Sequence, residues 1–156
     1  MDEGVLYIAS GSEYIDEAIK SAESVKHHTN LPVTIVSDRS LSESCFDTVI
    51  EEDDFCYHYG DSVLQIPELP YDRTLLLDTD TIICDELDGL FGLLDSFDIA
   101  AATIADGIFS LNGEVPQSFP EYNTGVVLFR PCPETSPFID EWKDVYRAYL
   151  EDGVRM

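Results

Sequence analysis

Lysine is almost missing from this sequence. Only Lys20, Lys26 and Lys143 are present, and Lys and Arg together number 8 against 32 Asp and Glu. The resulting formal net charge of -24 excludes a surface built to bind nucleic acid or anionic lipid, because phosphate-rich partners are repelled. Long apolar runs are lacking as well. None approaches the roughly 20 residues needed to cross a bilayer, and Met1-Asp2-Glu3-Gly4 carries no basic lead-in of a secretory signal. A cytoplasmic protein with no transmembrane segment is therefore expected. Cysteine is sparse and dispersed: Cys45, Cys56, Cys84 and Cys132 form no short-spaced pair of the kind that zinc knuckles and redox motifs use. Reduced thiols are expected, with a four-cysteine zinc site or two disulfides as the alternatives. No internal repeat or low-complexity tract is found.

What is present is acid spread evenly through apolar, periodic segments. A disordered acidic tail would instead gather its charges into a block. Adaptation to molar salt fits this scatter, since at about 1 M salt the screening length falls to roughly 3 Å and self-repulsion fades; an ordinary acidic protein is the alternative. With 156 residues, 44% of them hydrophobic, the chain has the size and apolar content of one domain, residues 1–156, around a single core.

The periodicities describe an α/β chain. Val5-Leu6-Tyr7-Ile8-Ala9 is a short, continuous apolar run, as a buried parallel strand requires. Tyr14, Ile15, Ala18, Ile19, Ala22 and Val25 then recur at helical spacing, Asn30-Leu31-Pro32 stops the helix, and Val33-Thr34-Ile35-Val36 supplies a second strand. This strand, helix and strand form a βαβ unit, which predicts a mostly parallel twisted sheet flanked by helices, with its ligand site beyond the strand C-termini. Arg39 to Pro70 is weaker in pattern, with a short strand near Thr48-Val49-Ile50. Thr74 to Asp78 is the clearest strand. Leu87, Leu90, Phe91 and Leu94 predict a short helix, Asp98 to Thr103 a strand, Gly107 to Glu121 a loop, and Gly125 to Phe129 a last strand. Phe138, Ile139, Trp142, Val145, Tyr146 and Tyr149 predict one apolar stripe on a C-terminal helix.

Chemistry concentrates in Leu75-Leu76-Leu77-Asp78-Thr79-Asp80, where a buried strand delivers two carboxylates to its C-terminal edge. Hard oxygen ligands of this kind suit Mg²⁺ or Mn²⁺, which proteins commonly hold with one or two carboxylates plus the phosphates of a substrate. In so acidic a chain, such an ion would also be what admits a diphosphate. The alternative is that Asp78 caps a turn and Asp80 is merely solvated.

The stretch from Pro70 to Ile83, with its Asp78-Thr79-Asp80, resembles the metal-site (DxD) segment of glycosyltransferases of the Rossmann-like nucleotide-diphospho-sugar transferase (GT-A) fold, and within them the glycogenin and lipopolysaccharide galactosyltransferase group. Tyr122-Asn123-Thr124-Gly125-Val126-Val127-Leu128-Phe129 is similar to the Asn-(Ser/Thr)-Gly-Val segment that this family sets beside the donor sugar and the acceptor. Ala9, Ser10 and Tyr14 resemble its nucleoside pocket. The resemblance covers nearly the whole chain in the family's order. It implies that Asp78 and Asp80 ligate Mn²⁺ or Mg²⁺, or that one of them contacts the ribose; that Ala9, Ser10, Tyr14, Asp38, Arg73 and Thr79 contact the nucleotide; and that Asn123, Thr124 and Gly125 line the sugar and acceptor pocket. In that reading Tyr14 stacks on the base, and Arg73 approaches the diphosphate. The bland readings are a core aromatic for Tyr14, an arginine paired with neighbouring acids for Arg73, a solvated cap for Asp38, and a turn entering a strand for Asn123-Thr124-Gly125. The donor would be a nucleoside diphosphate sugar, and the acceptor an unidentified glycan, protein or lipid. The resemblance leans toward retention of anomeric configuration.

Two departures qualify it. The family's later metal-binding His lies beyond the point at which this chain ends, Met156, and its basic residue on the helix before the metal strand is missing from Asp61 to Leu69. A fragment, or a minimal relative that binds donors poorly, is expected on that ground. His27, His28 and His58 precede Asp78 and are expected to be surface histidines. Two other classes compete: a catalytically inactive nucleotide-sugar-binding module, and a haloacid-dehalogenase-type phosphatase, whose first motif the segment Leu75-Leu76-Leu77-Asp78-Thr79-Asp80 also resembles, although that motif normally lies on the first strand of its fold.

Overall fold

A computed structural model describes residues 1–58, 60–103 and 122–151, leaving aside the side chain of Asp88. In chain order the elements are β1 (Glu3–Ala9), α1 (Ser12–His28), β2 (Val33–Ser37), β3 (Thr48–Glu51), α2 (Asp61–Leu64), β4 (Arg73–Leu77), α3 (Asp88–Phe91), β5 (Ile99–Thr103), β6 (Tyr122–Phe129) and α4 (Thr135–Glu151). A 3-10 turn over Gly92–Asp95 prolongs α3. The strands form one mixed sheet in the order β3-β2-β1-β4-β6-β5. Parallel pairing joins β3, β2, β1 and β4, and β6 alone runs against its neighbours. The expected α/β, mostly parallel sheet is what the chain forms.

The continuous apolar runs have a simple cause: both faces of the sheet are covered, so alternate residues of one strand enter different cores. Val5, Tyr7, Leu75 and Leu77 pack with Ile15, Ala18, Ala22 and Val25 of α1 on one face. Leu6, Ile8 and Leu76 pack with Ile66 and with Ile139 of α4 on the other. Each fully buried side chain of this kind contributes about 2 kcal/mol relative to exposure.

Several expectations need correction. The last strand starts at Tyr122, three residues before Gly125, so Asn123-Thr124-Gly125 lies within β6 and is not a turn. Tyr14 is 46% exposed and does not belong to the core stripe of α1, which Ile15, Ala18, Ala22 and Val25 form. On α4 only one flank of the stripe is used: Ile139 is buried and Trp142 packs against the core, while Phe138, Val145 and Tyr149 face outward. The predicted loop from Gly107 to Glu121 lies outside the described residues. All four cysteines are free thiols. Among the described residues no helix is long and apolar enough to cross a membrane.

Candidate functional site

From β1 the chain first winds outward through β2 and β3, then returns to the other side of β1 to form β4. In open α/β sheets such a reversal leaves a crevice beyond the strand C-termini, because the connections on its two sides leave in opposite directions. A cleft of about 480 Å³ occupies that place. Ala9 and Ser10 reach it from the end of β1, Glu13, Tyr14 and Glu17 from α1, Tyr57 and His58 from the β3–α2 connection, Asp61 from the start of α2, Asp78, Thr79 and Asp80 from beyond the end of β4, and Thr124 from β6. Its charged lining is acidic throughout: no Lys or Arg is among the described residues that form it.

Asp78 is the first residue beyond β4. Its N–H donates to the carbonyl of Gly125 at 2.9 Å, which continues the antiparallel β4–β6 ladder by one rung. The close approach depends on glycine. A Cβ at position 125 would lie 2.7 Å from Oδ2 of Asp78 and 2.9 Å from Oδ1 of Asn123, inside normal contact distance. Oδ1 of Asn123 accepts the N–H of Gly125 at 2.7 Å. Burial first, and the neighbouring Asp80 second, raise the carboxyl of Asp78 above its ordinary pKa. Among the described residues neither the Asp78 nor the Asp80 carboxylate has a cationic partner.

Helix α1 holds this turn from below. Tyr7 Oη lies 2.7 Å from Ser21 Oγ, Ser21 Oγ lies 2.9 Å from Thr81 Oγ1, and Thr81 Oγ1 donates to the carbonyl of Asp78 at 2.8 Å. Burial pushes the Tyr7 hydroxyl up to about 12, so it stays protonated and the chain of hydroxyls stays neutral. Thr79 Oγ1 donates to Glu17 at 2.9 Å, and Ser24 Oγ accepts the N–H of Ile83 at 2.9 Å. The hydroxyl positions of α1 thus set the backbone on which the two carboxylates stand.

Of the residues expected at the site, Ala9, Ser10, Tyr14, Asp78, Thr79, Asp80 and Thr124 meet at one cleft. Gly125 touches Asp78, with Asn123 beside it. Asp38 is not among the residues that line the cleft. Its Oδ2 accepts the N–H of Gly11 at 3.1 Å and the hydroxyl of Tyr57 at 3.3 Å, and the guanidinium of Arg39, before these bonds, holds its carboxyl below the ordinary value. Gly11, at φ 76°, turns the chain from β1 into α1 there.

Arg73 stands at the wrong end of its strand for the role expected of it. It opens β4 while Asp78 follows the strand's last residue, and its guanidinium is taken up by Glu3, Asp95 and the carbonyl of Phe91. A straight strand cannot bring its first side chain to the site at its other end.

Sequence reasoning missed Glu13, Glu17, Tyr57 and Asp61, and took His58 for an ordinary surface histidine, although it lines the cleft. The two glutamates are indistinguishable in sequence from the other acids on the polar face of α1. Asp61 is 5% exposed and accepts the N–H groups of Cys56 at 2.9 Å and of His58 at 3.2 Å. It anchors a connection whose weak pattern gave no element to place it on.

The chain has an α/β fold of the GT-A type, which it shares with solved glycosyltransferases. Two solved glycosyltransferases carry that likeness. The glycosyltransferase GlyE of Streptococcus pneumoniae TIGR4 matches with a TM-score of 0.71 and 20% identity, over 99% of this chain and 41% of that one. The galactosyltransferase LgtC, solved in complex with donor and acceptor sugar analogs, matches with a TM-score of 0.56 and 15% identity, over 92% of this chain and 60% of that one. The chain therefore spans less than two thirds of the length of either. By sequence, no family model and no curated protein matches it.

Proposed function

We propose that this chain is the nucleotide-sugar-binding domain of a metal-dependent glycosyltransferase. The observation that carries the reading is the pair Asp78 and Asp80, set at the switch point of the sheet in a cleft with no Lys or Arg among its described lining residues. The donor set fits Mn²⁺ or Mg²⁺: two hard carboxylates, one of them raised in pKa by burial and by the other. Among the described residues no group of three or more His, Cys, Asp or Glu comes together to cage an ion, so the phosphates of the donor would complete the coordination. Bound there, the metal supplies Lewis-acid stabilisation of the negative charge that develops on the departing diphosphate.

The chain's own residues then have separate tasks. Asp78 and Asp80 hold the ion, Thr79 and Glu17 fix the turn between them, and Gly125 keeps the β6 edge close enough to brace the Asp78 carboxylate. Asn123 and Thr124 present amide and hydroxyl groups where the sugar of the donor would lie. Tyr14 offers an exposed aromatic face to the nucleoside. The motif follows the fourth strand in chain order rather than the first, which weighs against the phosphatase alternative.

A panel of sugar nucleotides tested by thermal shift with Mn²⁺ in molar KCl is expected to give stabilisation by at least one donor. Calorimetry with Mn²⁺ alone is expected to show weak binding that uridine or guanosine diphosphate strengthens. Hydrolysis or transfer of the bound sugar separates an enzyme from a module that only binds. No response to any donor would remove the proposal.

A further inference from the structure

Tyr57 is a second aromatic on the wall of the cleft, and the reading above gives it no task. It lies between β3 and α2, is 69% exposed, and has φ 55°, the left-handed region that an L-residue avoids unless its surroundings hold it there. Among the described residues it is the one non-glycine with positive φ. The restraint is visible. The buried Asp61 carboxylate accepts the two amides that flank Tyr57, those of Cys56 and His58, and so closes the backbone around it. At the other end of the side chain, Tyr57 Oη donates to Asp38, which also holds the N–H of Gly11 at the start of α1. A buried charge and a disfavoured backbone are thus used to present an aromatic ring to solvent. Among the described residues the ring stays mostly outside the packing, on the wall of the cleft, which points to a use with something that enters there.

We propose that Tyr57 is a base-stacking residue of the nucleotide site, acting with Tyr14, and that Asp61 is the positioning residue that holds it ready. The inference rests on the glycosyltransferase reading and extends it. The cleft has a direction. Its carboxylates follow β4, on one side of β1, whereas Tyr57 reaches Asp38 at the end of β2, on the other side, two strand spacings or roughly 10 Å away. A nucleoside diphosphate with its phosphates at Asp78 and Asp80 directs its base toward Tyr57. Stacking on a π-face is tolerant of base identity, so the residue adds affinity for uridine and guanosine nucleotides alike.

The test uses three probes with Mn²⁺ in molar KCl: uridine diphosphate, guanosine diphosphate and inorganic pyrophosphate, which has no base. Titration calorimetry of Tyr57→Ala is expected to show a roughly tenfold loss of affinity for both nucleotides and unchanged affinity for pyrophosphate. Tyr57→Phe, which keeps the ring but loses the bond to Asp38, should bind pyrophosphate as the wild type does and the nucleotides more tightly than Tyr57→Ala. Tyr57→Gly should lose nucleotide affinity as Tyr57→Ala does but melt higher than that variant, because glycine adopts φ 55° without strain. Asp61→Asn should repeat the Tyr57→Ala pattern, nucleotide weakened and pyrophosphate spared. Wild-type nucleotide affinity in Tyr57→Ala, or equal losses for nucleotide and pyrophosphate, would overturn the proposal while leaving the glycosyltransferase reading standing. A wild type that binds neither nucleotide would remove both.

Discussion

The two ends of β4 carry charge in opposite ways. At the entrance, Arg73 is 13% exposed and paired, its two terminal nitrogens shared among Glu3, Asp95 and the carbonyl of Phe91 while its Nε has no partner among the described residues. At the exit, Asp78 and Asp80 sit together with no counter-charge among the described residues, and the more buried of the two is raised in pKa. Each end is tied to a neighbouring strand's chain by a backbone bond, the N–H of Arg73 to the carbonyl of Asp2 and that of Asp78 to the carbonyl of Gly125. A satisfied charge is explained by the fold, and an unsatisfied pair at a switch point calls for something that the fold does not contain.

If that contrast is right, substitutions at the two ends should separate stability from binding. The largest effect is expected from Arg73→Ala, which leaves Glu3 without its partner in a partly buried setting and should cost about 2 kcal/mol of stability. Urea unfolding would measure it. Nucleotide affinity with Mn²⁺ should be unchanged in the folded variant, and a loss of binding would return Arg73 to the site.

At the exit, Gly125→Ala puts a methyl group 2.7 Å from Oδ2 of Asp78. The carboxylate must rotate away, and roughly a tenfold loss of Mn²⁺-dependent nucleotide affinity is expected from a displacement on the order of 1 Å. Equal affinity in this variant would show that the geometry of Asp78 is not critical.

Asp78→Asn is expected to stabilise the metal-free protein by on the order of 1 kcal/mol, the usual sign for a substitution that relieves a functional site. The pH dependence follows from the raised pKa. Because the folded state holds the proton more tightly than the unfolded chain, the penalty on the wild type is absent below the ordinary carboxylate value, about 3.9. It grows as pH rises through the higher folded value and is complete above it. The advantage of Asp78→Asn should therefore shrink as pH falls, which urea midpoints of both proteins across the acid range would show. An advantage independent of pH would mean that charge is not its source.

Smallest per residue is the effect of salt, a few tenths of a kcal/mol for an exposed charge, though it acts across a surface of net charge -24. Stability should rise from dilute buffer to about 2 M KCl as repulsion is screened. A flat or falling urea midpoint would remove the halophilic reading and leave the fold untouched.

Much of this architecture was legible because the two-sided core forces continuous apolar runs. β1, β2 and the partners of α1 stand where Val5–Ala9 and Val33–Val36 placed them, and β4 stands where Thr74–Asp78 placed it but ends one residue earlier, at Leu77. Asp78 and Asp80 were legible for the same reason, as charges at the end of three leucines. Direction misled the reading of Arg73, since a sequence motif records adjacency but not which end of a strand faces the ligand. Asp61 and Tyr57 were illegible because their role depends on hydrogen bonds across a turn and on a backbone angle, neither of which leaves a periodic trace. Glu17 was hidden by the abundance of acid around it.

The most direct measurement is uridine diphosphate affinity, with and without Mn²⁺, for the wild type, Asp78→Asn and Asp80→Asn, with a melting curve for each. The account predicts nucleotide binding that depends on Mn²⁺ in the wild type and is abolished in both variants, with melting temperatures that show all three proteins folded. Metal-dependent binding that survives unchanged in both variants, or a wild type that binds no nucleotide with Mn²⁺, would contradict the assignment of this site.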